Sequence, residues 1–341
     1  MLAVLTALCA CGSKTGLRVP DVEQPCPLPC CGTTDLVIDQ LMIDESDAVE
    51  VPHTGMNLDG LFSGPTESEG CNHQDFFSAT DLDQNRPSGC FPGRPGMWVP
   101  GCLGGVDNSL PTIVNSIEAA TMRPGVRIAL QTQVRTSRRI ILVRVSAPGD
   151  AMVNSRVRVT VVAGFATFRD CNVAFAGDAE YAIDRRSLRA GGAGLSDATF
   201  SFDARIVAGR TVETGFYAAA FTAPLAALSP GIDDLPMHTA RLRLTLDATG
   251  AHDGVLAGVV PGNAWVDAIA IRAPDFRAAI EAILAGVVDI REPGMTACVE
   301  RTVPGMPRFG GISVGYGFHA IRARISDRVL DAPLAGMCGA P

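Results

Sequence analysis

The eight residues Ser-Arg-Val-Arg-Val-Thr-Val-Val at positions 155–162 alternate between apolar and polar side chains. In an extended strand, successive side chains point to opposite faces. Val157, Val159 and Val161 therefore lie on one face, and Arg156, Arg158 and Thr160 lie on the other. Such alternation is typical of an antiparallel sheet that packs against a core on one side only.

The same alternation recurs along the chain. It is equally clear in Thr199–Ile206 and in Thr239–Leu246. Further strands are predicted over Asp35–Ile43, Ile128–Val134, Ile140–Val145, Gly254–Val260, Ala264–Ile271 and Ile312–Ile325. In the last of these the pattern shifts by one residue near Ala320–Ile321, which predicts a β-bulge.

Two short amphipathic helices interrupt the strands. Pro111–Met122 carries apolar residues at helical spacing, with Asn108 or Ser109 as its cap and Pro111 in the first turn. Asp275–Val288 places its apolar residues on one face, and Asp275 is its expected N-cap. The chain is therefore predicted to be mainly β.

Regular strand spacing with few helices predicts an antiparallel β-sandwich with Greek-key or jelly-roll-like connections. The single sandwich domain is expected to span residues 35–341, since 47% of the chain is hydrophobic and can supply a core. Residues 52–110 lack periodicity and are rich in Gly, Pro, Asp and Cys, which predicts a long loop region inside that domain.

The N-terminus contains a short apolar run that leads into Leu8-Cys9-Ala10-Cys11 and then Gly-Ser. This ending resembles the lipobox of bacterial lipoproteins, although no basic residue precedes the apolar run. The resemblance implies that residues 1–10 are a cleaved signal peptide and that Cys11 carries the lipid. Residues 11–34 would then form a Pro-rich tether, and the protein would be lipid-anchored in the cell envelope, on the periplasmic side of the outer membrane or at the cell surface.

Cysteine usage is consistent with export. The cysteines beyond Cys11 lie in Pro- and Gly-rich sequence, which favours disulfides in an oxidising compartment over a zinc site. The remaining number is odd, and Cys171 lies between predicted strands, so it is a candidate for a buried free thiol. The candidates for disulfides are Cys71, Cys90, Cys102, Cys298 and Cys338.

The loop region concentrates side-chain oxygens. Aspartate and asparagine recur there in extended, loop-like sequence, which suits a calcium ion that takes six to eight oxygen ligands. The same residues could instead form Asx-turns and helix caps without any metal, and both interpretations stay open. The candidate calcium ligands are Asp59, Asp75, Asp81, Asp83, Asn85 and Asp107.

A second resemblance covers most of the chain after the tether. Leu58-Asp59-Gly60, Asp75-Phe76, Gly105-Val106-Asp107-Asn108, Ala297-Cys298 and Ile312-Ser313 form a pattern similar to that of an uncharacterised group of secreted and lipid-anchored bacterial proteins. Because the group has no assigned function, the resemblance implies a shared architecture and nothing about activity.

Catalytic motifs are weak. Gly311-Ile312-Ser313-Val314-Gly315 matches Gly-x-Ser-x-Gly, but Ser313 lies inside a predicted strand, and the only later histidine precedes the available aspartates. A net charge of −8 argues against nucleic acid as a partner. The arginines are mostly scattered singly along strands.

These observations predict a lipid-anchored envelope protein that acts as a non-enzymatic binding or structural module, with an envelope protein or glycan as its partner. The alternative is a glycan-active hydrolase on a jelly-roll-like sandwich, which is an analogy from fold alone. It would need two carboxylates about 5 to 9.5 Å apart. The dense group of Asp75, Asp81, Asp83 and Asp107 is the only source of them that the sequence suggests.

Overall fold

The computed structural model describes slightly more than half of the chain, mainly its strands and helices. The described residues are 32–45, 52–56, 58, 71, 77–78, 108–121, 140–147, 155–168, 175, 177–208, 211–214, 223–224, 236–270, 274–301 and 307–336.

The described part of the chain is mainly β. Its strands are β1 (Gly32–Met42), β2 (Pro52–His53), β3 (Phe77–Ser78), β4 (Ile140–Ala147), β5 (Arg156–Ala166), β6 (Glu180–Asp184), β7 (Phe200–Ala208), β8 (Thr211–Thr214), β9 (Ala223–Pro224), β10 (Pro236–Leu246), β11 (Gly250–Pro261), β12 (Val299–Arg301), β13 (Pro307–Phe309), β14 (Gly311–Arg322) and β15 (Arg324–Leu330). Its α-helices are α1 (Leu110–Thr121), α2 (Gly262–Ala270) and α3 (Arg277–Ala285).

The main sheet closes on itself. Its strands follow the order β5-β4-β1-β14-β11-β10-β8-β7, and β7 pairs with β5 again, so eight antiparallel strands form a barrel. The predicted open sandwich is therefore wrong, although the mainly β class and the antiparallel pairing are confirmed. Alternating side chains identify a buried face and a polar face, which a sandwich and a barrel share. The pairing of β5 with β7 distinguishes them, because full closure removes the sheet edges.

Strand β5 pairs with two strands along one of its edges. This pairing places two further strands, β6 and β15, beside the barrel, and we call them the flank. The first half of β5 pairs with β7, and Gly164–Ala166 pairs with β6. Strand β15 then lies parallel to β6, outside the barrel. A second apolar cluster fills the space between this flank and the barrel wall, and it includes Val37, Leu142 and Val162.

Strand β4 is consequently buried on both faces. Ile141, Val143 and Val145 belong to the cluster inside the barrel, whereas Ile140 and Leu142 belong to the cluster under the flank. This double burial accounts for a nearly continuous apolar run in place of alternation. Arg144 is the one charged residue in the strand.

The strand predicted over Ala264–Ile271 is wrong, since helix α2 occupies most of that range and is a third helix beside the two expected. Trp265 and Val266 are both buried and Asp267 is exposed, which fits a helix face and not a period of two. The side chain of Asn263 bonds to β13, donating to the carbonyl of Pro307 (3.1 Å) and accepting from the amide of Phe309 (2.8 Å). A short apolar run alone does not separate the two structures.

The other predicted elements correspond to observed ones with shifted ends. Helix α1 lies within one residue of its predicted range. Helix α3 is shorter than predicted at both ends, since a 3₁₀ turn, Pro274–Phe276, precedes it and the helix ends at Ala285. The predicted strand Ile312–Ile325 is two strands that separate at Ala323. Strand β1 begins at Gly32, inside the range assigned to the tether. The predicted strand Ile128–Val134 lies outside the described residues.

Candidate functional site

A cavity of about 340 Å³ lies where the chain passes from β14 to β15. The start of β1 and the middle of β4 form its other walls. Three of its eight lining residues are arginines. The lining residues are Thr33, Thr34, Asp35, Arg144, Asp178, Arg322, Ala323 and Arg324. We call this cavity the arginine pocket.

Backbone hydrogen bonds at the strand junction position the pocket. The amide of Ala323 donates to the carbonyl of Asp35 at 3.0 Å, and the amide of Arg324 donates to the carbonyl of Ala179 at 2.8 Å. Asp178 has a φ of 60° and donates its amide to the carbonyl of Arg322 at 3.0 Å. Because β15 departs from the barrel wall to pair with β6, the two flanking arginines are held on either side of Ala323.

Arg144 is locked in place by Asp35. Its Nε lies 2.6 Å from Oδ1 of Asp35 and its Nη2 lies 2.8 Å from Oδ2, a bidentate pair. Nη2 also donates to the carbonyl of Ile325, and Oδ2 accepts the amide of Ile325 at 2.9 Å. The hydrogen bond from Asp35 raises the pKa of Arg144 in spite of its partial burial. Arg144 and Asp35 therefore form a fixed, neutralised wall of the pocket.

The other two arginines are bonded less completely. Arg324 donates from Nε to the carbonyl of Asp178 at 3.0 Å. The Nε of Arg322 is buried and has no hydrogen-bond partner among the described residues. A buried guanidinium donor without an acceptor is costly. The pocket is therefore lined by two guanidinium groups that are not fully bonded to described residues, and binding of an anion is the chemistry that the arrangement favours.

Each histidine whose side chain the structure describes pairs with a carboxylate on the outer face of the sheet. His319 Nδ1 lies 2.7 Å from Asp39 Oδ1, and His252 Nδ1 lies 2.7 Å from Oδ2 of Asp253. The third pair joins His238 Nε2 to Glu292 Oε1 at 2.8 Å.

All three pairs lie where the strand register shifts, between Ile38 and Gln40 in β1, Ala251 and Gly254 in β11, and His238 and Arg241 in β10. The first two shifts face the predicted irregularity of β14, but the extra residues belong to its neighbours. Within the described ranges, no three His, Cys, Asp or Glu side chains converge in a way that could hold a metal ion.

The Gly-x-Ser-x-Gly match is part of the structural core. Ser313 lies in β14 and is fully buried, as the prediction of a strand serine requires. Its hydroxyl donates to Asp289, and its amide donates to Oδ1 of the same residue at 2.8 Å. The hydroxyl also accepts from the amide of Ser109 at 3.0 Å. A serine without solvent access cannot meet a substrate, so this motif does not mark a hydrolase site.

Asn108 makes a similar contact with the next part of β14. Its Oδ1 accepts from the amide of Gly315 at 2.9 Å, and its Nδ2 donates to the carbonyls of Thr54 (2.6 Å) and Gly315 (3.3 Å). Strand β1 pairs with β14 only from Gly317 to Arg322. The side chains of Asn108 and Asp289 thus replace a neighbouring strand along the earlier part of β14. Asn108 Oδ1 also accepts from the amide of Leu110, the first residue of α1, at 3.2 Å, so Asn108, one of the two predicted caps, bonds to the first turn of the helix.

One pair of the predicted disulfide cysteines is joined. Cys71 and Cys298 form a disulfide across 227 residues, with their Cα atoms 5.4 Å apart. It connects the loop region to the segment before β12. The other predicted site residues lie outside the described residues: Cys11, Asp59, Asp75, Asp81, Asp83, Asn85, Cys90, Cys102, Asp107 and Cys338, and also Cys171. The structure therefore does not describe the candidate calcium ligands or the candidate hydrolase carboxylates.

The arginine pocket was not anticipated from the sequence. The one available signal was a charge inside an apolar strand, since Arg144 interrupts Ile140–Val145. Arg322 and Arg324 resemble any solvent-facing strand residues, because the pairing of Arg322 with Leu36 of β1 and of Arg324 with Glu180 of β6 depends on contacts between distant parts of the chain.

Comparison of the chain with protein-family models, with curated proteins and with solved structures gives no match. Among the described residues, no helix combines the length and the apolarity that crossing a bilayer requires.

Proposed function

We propose that this chain is a lipid-anchored module of the bacterial cell envelope that binds a ligand in the arginine pocket and does not transform it. The observation that carries the proposal is Arg322, whose side chain lines a cavity and whose buried Nε has no acceptor among the described residues. Native proteins pair nearly all such groups, so an unpaired one at a cavity indicates a missing partner.

The other charges of the pocket favour binding over catalysis. Both oxygens of Asp35 accept from Arg144, and one accepts the amide of Ile325 as well. A general base needs a free, basic oxygen within reach of a substrate proton. Asp35 is instead held as a counter-ion, so the pocket offers recognition in place of proton transfer.

The anchor is proposed from the resemblance of Leu8-Cys9-Ala10-Cys11 to a lipobox. A lipid on Cys11 would leave residues 12–31 as a spacer with Pro20, Pro25, Pro27 and Pro29. A Pro-rich segment extends by about 3.1 Å per residue, which gives this spacer a reach of about 60 Å. That reach would let the barrel meet ligands well away from the membrane surface. Calcium bound by the Asp-rich loop stays a separate proposal within this function.

The anchor is tested by metabolic labelling of the full chain with radioactive palmitate. We expect label in the native protein and in a Cys9→Ala variant, and no label in Cys11→Ala, because only the thiol at the lipidation position accepts the diacylglycerol. Cys9→Ala is the matched control, since it makes the same change two residues earlier. Native protein without label, or label that persists in Cys11→Ala, would overturn the anchoring.

A further inference from the structure

We infer that the arginine pocket recognises a single monoanionic oxyacid group, a carboxylate or a phosphodiester, through Arg322 and Arg324. This inference rests on the proposed function, because it names the chemistry of the ligand that the same pocket would bind.

Arg322 supplies the primary contact. Its Nε is buried, and no side-chain hydrogen bond or ion pair joins it to any described residue. The side chain of Arg322 lines the pocket, so an anionic oxygen that reached the terminal nitrogens of its guanidinium group would form a charge-assisted hydrogen bond, which is shorter and stronger than a neutral one.

Arg324 supplies a second contact from the opposite side of Ala323. Its Nε is held by the carbonyl of Asp178, which restricts the orientation of the planar guanidinium group. The structure shows no partner for its two terminal nitrogens among the described residues. Because rotamer freedom is already reduced, less entropy is lost when these nitrogens bind an anion.

Arg144, the third arginine, forms a wall of the pocket and does not contact the ligand in this proposal. Its Nε and Nη2 both donate to Asp35, and that pairing also cancels the negative charge that would otherwise repel an anion. The lining includes three arginines and two aspartates, which leaves a net charge of one positive unit. A monoanion matches this charge, whereas a phosphate dianion would leave an excess negative charge in a half-enclosed space.

The size of the pocket supports recognition of one group on a larger molecule. A volume of about 340 Å³ is close to the lower end of the range for ligand sites, about 300–1,000 Å³. Carboxylates and phosphodiesters both occur on envelope polymers and lipids, and they share the geometry of two anionic oxygens on one atom. A guanidinium group matches that geometry.

The test is a titration of the full chain with acetate, dimethyl phosphate and inorganic phosphate at constant ionic strength, followed by the midpoint of thermal unfolding and by calorimetry. We expect saturable stabilisation by at least one of the two monoanions and weaker binding of inorganic phosphate. The monoanion that binds more tightly identifies the class of ligand group. No saturable effect of either monoanion on the native protein would overturn the inference.

Three variants localise the effect. Arg322→Leu should weaken binding of the preferred monoanion by at least about tenfold, because a charge-assisted contact is lost. Arg324→Leu should weaken it by a smaller factor, and it keeps the test decisive if Arg322→Leu fails to fold. Arg328→Leu is the matched control, since Arg328 is exposed on the same strand as Arg324 and does not line the pocket. Equal binding by the native protein and both pocket variants would overturn the inference.

The two proposals fail separately. Loss of anion binding with palmitate still attached to Cys11 would remove the ligand class and leave the anchored module. Anion binding by an unlabelled native protein would keep the pocket and remove the anchor.

Discussion

At its start, strand β14 lies against Asp289 and Asn108, whereas at its end it leads into the arginine pocket. The amides of Ser313 and Gly315 each donate to one of the two side chains at the start. At the end, the Nε of Arg322 is buried without a partner among the described residues. One strand therefore carries buried polar groups that bond within the protein and a buried polar group that bonds to none of the described residues.

The difference distinguishes buried polar groups that stabilise the fold from a buried polar group that is available for binding. Asp289 and Asn108 compensate for the neighbour that β14 lacks before Gly317, so their hydrogen bonds hold the barrel together. The Nε of Arg322 bonds to no described residue, and the side chain lines a cavity that a ligand could enter. Burial of a polar group does not by itself indicate a function, whereas burial without a partner beside a cavity does.

The largest expected effect is at the start of β14. Asp289→Ala leaves the amide and the hydroxyl of Ser313 without their acceptor inside the protein. Each orphaned buried group costs about 1–3 kcal/mol, so we expect the free energy of unfolding to fall by about 4 kcal/mol. Urea denaturation measures the change.

Asp331→Ala is the matched control for this substitution. The side chain of Asp331 is 76% exposed, and among the residues that the structure describes it pairs with Arg185 alone, at the surface. Its removal should cost less than about 0.5 kcal/mol. If both variants lost the same small amount, Asp289 would not support the start of the strand, and the contrast between the two ends would fail.

An intermediate effect is expected at the pocket wall. Arg144→Leu leaves the carboxylate of Asp35, which is 13% exposed, with only the amide of Ile325 as a partner. We expect a loss of about 2 kcal/mol, between the values for surface pairs and for fully buried pairs. Arg322→Leu should change stability by less than about 0.5 kcal/mol or raise it, because it removes an unpaired donor. Equal losses in the two variants would show that Arg322 is structural.

The smallest effect concerns the hairpin turn beside the pocket. Oδ1 of Asp247 accepts from the hydroxyl and amide of Thr249 and from the amide of Gly250. These bonds, the one from the Thr249 hydroxyl first, hold the pKa of Asp247 below its ordinary value. The carbonyl of Thr249 in turn accepts a hydrogen bond from the amide of Arg322, so the turn is bonded to the last residue of β14.

The sign of the pH dependence follows from the lowered pKa. The unfolded carboxylate binds protons near pH 3.9, and the folded one only at lower pH, so its contribution is complete above about pH 3.9 and is lost as the pH falls through the folded pKa. Asp247→Asn should therefore cost about 1 kcal/mol near neutral pH, and this difference from the native protein should shrink toward zero in acid. Urea denaturation of the native protein and of Asp247→Asn, near neutral pH and in acid, measures this difference. A difference that stays constant with pH would show that the charge of Asp247 contributes nothing.

Much of the fold follows from local pattern, and the exceptions have physical causes. Alternation located β5, β7 and β10, because a strand with one wet face has a period of two wherever it lies. The same rule misassigned Ala264–Ile271, since a short apolar run fits a buried strand and a helix equally well. Cys71 and Cys298 were both candidates for disulfides, but their pairing could not be predicted, because spacing says nothing about which distant cysteine is near.

The candidate site was less predictable than the fold. The sequence drew attention to aspartates at 59, 75, 81, 83 and 107, where density along the chain suggests a shared ion. The arginine pocket has no such density, since it combines residues near positions 35, 144, 178 and 323. Single charges on separate strands look alike in sequence, whether they face solvent or meet one another across a barrel wall.

By itself, the sequence determined that this protein is mainly β and antiparallel, that α1 begins after Asn108 and Ser109, and that Ser313 belongs to a strand. These properties depend on neighbours within a few residues, whose side chains share a face or cap a turn. Only the tertiary structure decided that the sheet closes through β5 and β7, that Asp289 supports β14, and that three arginines line one cavity. Each of these depends on strand pairing between residues far apart in the chain, which local periodicity does not encode.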